Sequence, residues 1–213
     1  MTIAPEIFGA RELVEHFRDR VVFSIGHTEA DHAAAAEAMT WGVSHVTHLF
    51  NAMTPLHHRD PGVVGAALTA PDVTAELIAD GIHVHPAAMR IAVTCMPHRI
   101  TLVTDAMRAC GLPDGEYKLY EYDVTVRDGA ARLADGALAG SVLTMGDAVK
   151  NMVELAGLPI ETVVPLATEV PARVAGVANR KGKLARRFDA DVVIMNEKLE
   201  IEQVMVRGEE LAR

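Results

Sequence analysis

Three short apolar runs each end in a polar residue suited to metal chemistry. Val21-Val22-Phe23-Ser24-Ile25 leads into Gly26-His27-Thr28, Val43 to Val46 leads into Thr47-His48-Leu49, and Ile100-Thr101-Leu102-Val103 leads into Thr104-Asp105-Ala106. Two neutral imidazoles and a carboxylate are a ligand set for a hydrolytic metal that keeps an open position. Groups delivered at the C-terminal ends of β-strands are the arrangement of a barrel active site. The order and similar placement of the three fragments carry this expectation, since any one alone is weak. Each also has a structural competitor. His27 and His48 serve equally as satisfied structural histidines, and Asp105 as a helix or turn cap.

Strands alternating with helices over residues 1–178 imply parallel β-α-β units. Thr2-Ile3-Ala4 is a strand stub. Thr28 is placed to cap a helix, with Asp31 three residues on. Ala33 to Met39 is strongly helix-forming and Gly42 stops it. A loop from Asn51 to Gly62 carries His57, His58, Arg59 and Pro61. Thr74 to Ile78 is a strand leading into Asp80-Gly81-Ile82-His83, and Pro86 suits the first turn of a helix over Ala87 to Cys95. His45 alternates with its strand neighbours and reads as structural. His16, His32, His85 and His98 read as surface residues.

From Tyr117 to Leu138 the character changes. Asp123 to Arg127 alternates, Asp128-Gly129 signals a turn, and Ala130 to Leu133 follows, which predicts a β-hairpin. Ala139-Gly140-Ser141 then opens a predicted helix from about Val142 to Ala156 with an apolar stripe. Two further helices are expected over Ile160 to Leu166 and Val170 to Val177. From Asn179 a basic link (Lys181, Lys183, Arg186, Arg187) precedes predicted strands at Asp191 to Met195 and Val204 to Arg207. The expected organisation is one domain over 1–178 and a small β appendage over 179–213. About four strong strands are too few for a closed eight-stranded barrel, which predicts the second half of one.

The chain has 213 residues, half of them apolar, enough for a sizeable core. Its formal charge of −9 gives no general attraction to nucleic acid or to an anionic membrane, so neither is an expected partner. A small anionic substrate needs only a few local cations. The two cysteines, Cys95 and Cys110, lack metal-type spacing and fit a reducing cytoplasm. No apolar stretch approaches the roughly 20 residues of a membrane span, and the segment from Met1 to Val14 has no signal-peptide core. Ten histidines is a high count and raises the expectation of a metal site.

Taken in order, Ala4-Pro5-Glu6, Gly26-His27-Thr28, Thr47-His48-Leu49-Phe50-Asn51-Ala52-Met53, Arg59-Asp60-Pro61-Gly62, Ala79-Asp80-Gly81-Ile82-His83, Thr104-Asp105-Ala106 and Ala139-Gly140-Ser141 resemble the N-acetylglucosamine-6-phosphate deacetylase family of the amidohydrolase superfamily. Gly182-Lys183-Leu184 and Ala190 to Val193 resemble that family's closing β segment. The resemblance implies an α/β fold, the C-terminal half of a metal-dependent-hydrolase (β/α)₈ barrel. By the same resemblance, His27 and His48 are metal-binding histidines and Asp105 is the catalytic carboxylate. Asn51 and Ala52 meet the sugar phosphate, and Arg59 reaches the phosphate from the neighbouring subunit of a homodimer. His83 contacts the sugar, and Ala139, Gly140 and Ser141 form a loop beside the substrate. Gly140-Ser141 reads equally as a plain helix start with Ser141 as its cap.

One departure stands against this. The family's metal-binding glutamate lies in a His-x-Glu-Gly-Pro motif upstream of the Ala-Pro-Glu segment, and that motif is not in this sequence. Glu6 belongs to the later segment and is not promoted to ligand. The expected chemistry is hydrolysis of an acetamide on a phosphorylated amino sugar, with a divalent metal that zinc suits and that iron or manganese also suits. The alternatives are a truncated, non-catalytic remnant that keeps a sugar-phosphate pocket, and an amidohydrolase acting on another amide. Open sheet edges in a half-barrel further predict self-association or marginal folding.

Overall fold

The computed structural model describes residues 1–211. Its first part alternates strand and helix: β1 (Thr2–Ile3), α1 (Ala10–Phe17), β2 (Ser24–Ile25), α2 (His32–Trp41), β3 (His45–Val46), α3 (Gly62–Thr69), β4 (Thr74–Ile78), α4 (Pro86–Cys95) and β5 (Ile100–Val103). These strands form one sheet in the order β1-β2-β3-β4-β5, with β1 to β4 paired in parallel. The α/β class expected from the sequence is therefore present.

Register sorts the two faces of this sheet. Ile3, Ile25, Val46 and Ala75 are aligned across β1 to β4, and so are Thr2, Ser24, His45 and Thr74. Because side chains alternate along a strand, one face is apolar and the other polar. Phe23 and Ile25 are buried with Val14, Ala35, Ala38, Trp41 and Val63, which come from the helices. On the polar side, Thr47 Oγ1 hydrogen-bonds Thr2 Oγ1 at 3.0 Å and Ser24 Oγ at 2.5 Å. The Thr47 hydroxyl thus gives the buried Ser24 hydroxyl a partner that an apolar core would not supply.

The chain divides into two compact units. Met1–Leu77 and Ala87–Thr101 make the first, and Ile78–Pro86 with the chain from Leu102 onward makes the second. In the second, β6 (Gly115–Leu119), β7 (Tyr122–Arg127), β8 (Ala130–Leu133) and β9 (Leu138–Ser141) form an antiparallel sheet around Met107, Ala109, Val124, Val126, Ala131 and Ala139. Helices α5 (Met145–Glu154), α6 (Ile160–Ala167) and α7 (Glu169–Val174) follow. The strands predicted at Asp191 to Met195 and Val204 to Arg207 fall in a three-stranded antiparallel sheet, β10 (Val192–Met195), β11 (Ile201–Val206) and β12 (Glu209–Glu210). The last residues of the expected appendage, 212–213, lie outside the described residues. Lys181 bridges Asp189 and Asp191 at its base. No helix among the described residues is long and apolar enough to cross a membrane.

Several local expectations are corrected. Thr28 does not cap α2. Asp31 does, its Oδ1 accepting the Ala34 N–H at 2.8 Å, while Thr28 Oγ1 donates to Glu6. Ser141 does not open a helix, because residues 138–141 are the strand β9 and α5 is capped by Thr144. Helix α3 had no sequence signal. Its residues Gly62 to Leu68 are buried on every side, so no amphipathic stripe marks it, and it contains two glycines.

Candidate active site

The strand-end residues share one backbone feature. His27 (φ 51°), His48 (φ 30°) and Asp105 (φ 48°) all lie in the left-handed region, as do Phe50 and Ala52. A residue with a side chain is uncommon there, and such strain clusters at functional sites. Each strand thus ends in an abrupt turn that takes the next side chain out of the pleat.

In the first unit, the turns bring His27 and His48 together. Their Nε2 atoms are 2.8 Å apart, and the rings meet edge to face. His48 is buried and its Nδ1 lies 3.1 Å from the Asn51 carbonyl oxygen. A carbonyl can only accept, so that nitrogen carries a proton, and it is Nε2 that is turned to His27 and would offer its lone pair to a cation. Two unprotonated nitrogens at this spacing repel each other unless a proton or a cation lies between them. The donor set therefore fits a borderline divalent cation with imidazole ligands. Among the described residues, no group of three or more His, Cys, Asp or Glu is gathered as a complete cation cage.

The loop after β3 surrounds this pair. Asn51 Nδ2 faces the carbonyls of His48 and Leu49 at 3.4 Å, and the Ala52 carbonyl accepts the Thr28 N–H at 3.1 Å. Two carboxylates that sequence reasoning left unassigned hold the turns. Glu6 accepts Thr28 Oγ1–H at 2.5 Å and the Glu29 N–H at 2.9 Å. Glu76 accepts the His48 N–H at 3.2 Å and lies 3.3 Å from His45 Nε2. Burial pushes both carboxyls up, but these hydrogen bonds outweigh it and hold both below the ordinary carboxylate range. Glu76 had one available signal, a lone charge inside the apolar run Thr74–Ile78. Arg59 makes different contacts, with Nη1 2.8 Å from His58 Nε2 and its amide on His57 Nδ1, all on an exposed loop.

In the second unit, Asp105 and the Ala139-Gly140-Ser141 segment are neighbours. The Asp105 carbonyl accepts the Ser141 N–H at 2.9 Å, Ser141 O accepts the Met107 N–H at 2.8 Å, and Ser141 Oγ donates to the Thr104 carbonyl. A parallel bridge joins Ala106 to Ser141. The Asp105 side chain is exposed. His83 pairs with Asp80 in the same unit: Nδ1 is 2.6 Å from Oδ2, while Oδ1 accepts the Ile82 and His83 amides, both at 2.8 Å. Burial raises the Asp80 carboxyl, but the His83 ring and the two amides bring it below its usual value. The dyad fixes the His83 ring with Nδ1 engaged, leaving Nε2 as the second polar atom.

A model of the amidohydrolase family matches residues 3–211. An N-acetylglucosamine-6-phosphate deacetylase of Bacillus subtilis is 42% identical over 210 residues, which are 98% of this chain and 53% of that protein. The crystal structure of the Pasteurella multocida N-acetylglucosamine-6-phosphate deacetylase superposes with a TM-score of 0.95 at 30% identity, covering 100% of this chain and 56% of that one. A Mycobacterium smegmatis N-acetyl-D-glucosamine-6-phosphate deacetylase variant, in complex with N-acetyl-D-glucosamine-6-phosphate, superposes at 0.92 with 38% identity over 98% of this chain and 56% of that one. The chain spans about half the length of these relatives. With nearly its whole length matched by one family model and its fold shared with these hydrolases, the chain belongs to the amidohydrolase family.

Proposed function

We propose that the chain hydrolyses the acetamide of N-acetylglucosamine 6-phosphate to glucosamine 6-phosphate and acetate, in amino-sugar catabolism. The observation that carries this reading is the facing pair of His27 and His48 Nε2 atoms on left-handed strand ends. His27 and His48 would hold a divalent cation, with zinc favoured over iron or manganese. When bound, it would lower the pKa of a water molecule and polarise the acetyl carbonyl.

The other residues then have distinct tasks. Asp105 takes the proton of the attacking water and returns it to the leaving nitrogen as the C–N bond breaks. His83 donates from Nε2 to the acetyl oxygen as charge develops there. That donation needs both ring nitrogens protonated, with Asp80 as counter-charge on Nδ1. Asn51 and Ala52 contact the sugar phosphate, and Arg59, assisted by His57 and His58, binds the phosphate through its planar donors. Ala139, Gly140 and Ser141 line the substrate beside Asp105.

The same reading assigns 1–178 to the C-terminal half of a (β/α)₈ barrel and 179–213 to a small β-sandwich. It makes the protein a cytoplasmic homodimer, in which Arg59 serves the neighbouring subunit's substrate. The experiment is to titrate the purified chain with Zn²⁺, Fe²⁺ or Mn²⁺ and to measure acetate released from N-acetylglucosamine 6-phosphate. Stoichiometric metal with turnover is expected. A folded sample that neither binds metal nor releases acetate overturns the proposal.

A further inference from the structure

Glu76 receives the amide protons of two successive residues. Its backbone carbonyl accepts the Leu49 N–H at 2.9 Å, and its Oε2 accepts the His48 N–H at 3.2 Å. In a regular strand, successive amides point to opposite neighbours. Here the turn at His48 (φ 30°) aims both at one residue of β4. Among the described residues the His48 amide meets no backbone carbonyl of the ladder after this turn, and the carboxylate accepts it instead.

The carboxylate is itself held. Oε1 lies 3.3 Å from His45 Nε2, and His45 Nδ1 lies 2.7 Å from Thr74 Oγ1, which reaches the Ser44 carbonyl at 3.2 Å. His45 is buried, only 5% exposed. The four groups Thr74, His45, Glu76 and the His48 amide therefore form a connected chain across β3 and β4. From the other side, the Asn51 carbonyl fixes the His48 ring through Nδ1. Backbone and ring are each pinned once, which sets the direction of Nε2 toward His27.

We propose that Glu76, steadied by His45, is a positioning residue for cation capture: it clamps the His48 amide at the strand-end turn and so fixes how His48 Nε2 meets His27 Nε2. The inference rests on the cation role given above to His27 and His48. Groups that orient first ligands act on metal affinity roughly 10- to 100-fold. A residue serving only to balance the buried His45 would alter the melting temperature and leave the affinity of folded molecules unchanged.

The test compares the full chain with Glu76→Ala and Glu76→Gln. Zn²⁺ alone is titrated in competition with a chelator, and the His48 amide and imidazole ¹⁵N resonances are recorded. Glu76→Ala is expected to weaken Zn²⁺ binding about 10- to 100-fold. Glu76→Gln keeps an oxygen for the His48 amide and is expected to recover most of that loss while remaining several-fold weaker than the parent. Parent affinity in folded Glu76→Ala overturns the inference. Should that variant not fold, Glu76→Gln decides, and parent affinity there overturns it. A parent that binds no Zn²⁺ defeats the proposed function instead. Glu76 is then judged by the His48 ring resonances, and their identity in parent and variants refutes its positioning role.

Discussion

His48 gives its Nδ1 proton to the carbonyl of Asn51, 3.1 Å away and three residues along the same turn. The bond selects the tautomer that leaves Nε2 bare, which is the form a metal needs. His27→Ala and His48→Ala should each lower Zn²⁺ affinity about 100-fold or more and abolish acetate release with it. The two variants should differ in stability. His48 is buried and His27 exposed, so only His48→Ala should lower the melting temperature appreciably. Equal Zn²⁺ binding in parent and variants would count against the pair as ligands.

Asp80 makes acid sensitivity measurable. Its carboxyl sits below the unfolded value because His83 and two amides bind the charged form. Between the folded and unfolded values, the unfolded chain holds more protons. The stabilisation is therefore complete above the ordinary carboxylate range, and is lost as pH falls from roughly 4 through the folded value. Glu6 and Glu76 are shifted in the same direction and add to this loss. Asp80→Asn should cost about 1–3 kcal/mol near neutral pH, as expected for charge-assisted hydrogen bonds to a buried group. It should also flatten the decline below pH 4 in urea melts recorded at successive pH values. A variant with the parent's full acid slope would show that Asp80 carries none of it.

The strand ends that carry the candidate residues were legible because apolar runs and their terminal polar residues are visible without coordinates. His27, His48 and Asp105 each follow such a run, and β4 and the hairpin of β7 and β8 fall where alternation and Asp128-Gly129 put them. The left-handed turns at those ends were not legible, since neither His nor Asp announces φ > 0 as Gly does. Glu76 was missed because its value comes from the His48 and Leu49 amides in the turn after β3, 28 and 27 residues earlier in the chain, which only the pairing of β3 with β4 brings to it. Ser141 was misplaced because Gly-Ser before an apolar stripe resembles a helix start, whereas the bridge to Ala106 makes it a strand end.

Asp31 and Thr28 provide a check on that local physics. Asp31 caps α2 through the Ala34 amide, so Asp31→Ala should destabilise the fold by about 1 kcal/mol without changing Zn²⁺ affinity. Thr28 instead ties the turn after His27 together, its Oγ1 donating to Glu6 and accepting the Ala30 N–H at 3.0 Å, and it caps no helix. Thr28→Ala should therefore weaken Zn²⁺ binding more than it lowers stability. Chemical denaturation and metal titration of the same two variants separate the roles, and the reverse pattern would contradict them.

Gly140 lies at φ 71°, and a Cβ there would stand 3.2 Å from the Asp105 carbonyl oxygen. Gly140→Ala should cost about 1–2 kcal/mol from the backbone conformation alone. The added contact falls on the residue proposed as general base, so kcat should drop while phosphosugar KM changes little. Denaturation and steady-state kinetics check the two parts. An unchanged kcat would mean that the Gly140 turn does not set the Asp105 position.

Arg59 tests whether the phosphate is recognised at all. Its guanidinium is exposed and touches only a histidine among the contacts described above, so its removal should leave stability within about 0.5 kcal/mol. A charge-assisted bond to phosphate is worth roughly 1.5–3 kcal/mol, which corresponds to about a 10- to 100-fold rise in KM for N-acetylglucosamine 6-phosphate in Arg59→Ala. The unphosphorylated sugar offers no partner to the guanidinium, so its kcat/KM should be the same in parent and variant. The difference between the two substrates isolates the phosphate contribution from any general disturbance of the loop. Equal losses on both would place Arg59 outside phosphate binding, and no loss on either would leave it a solvated loop residue.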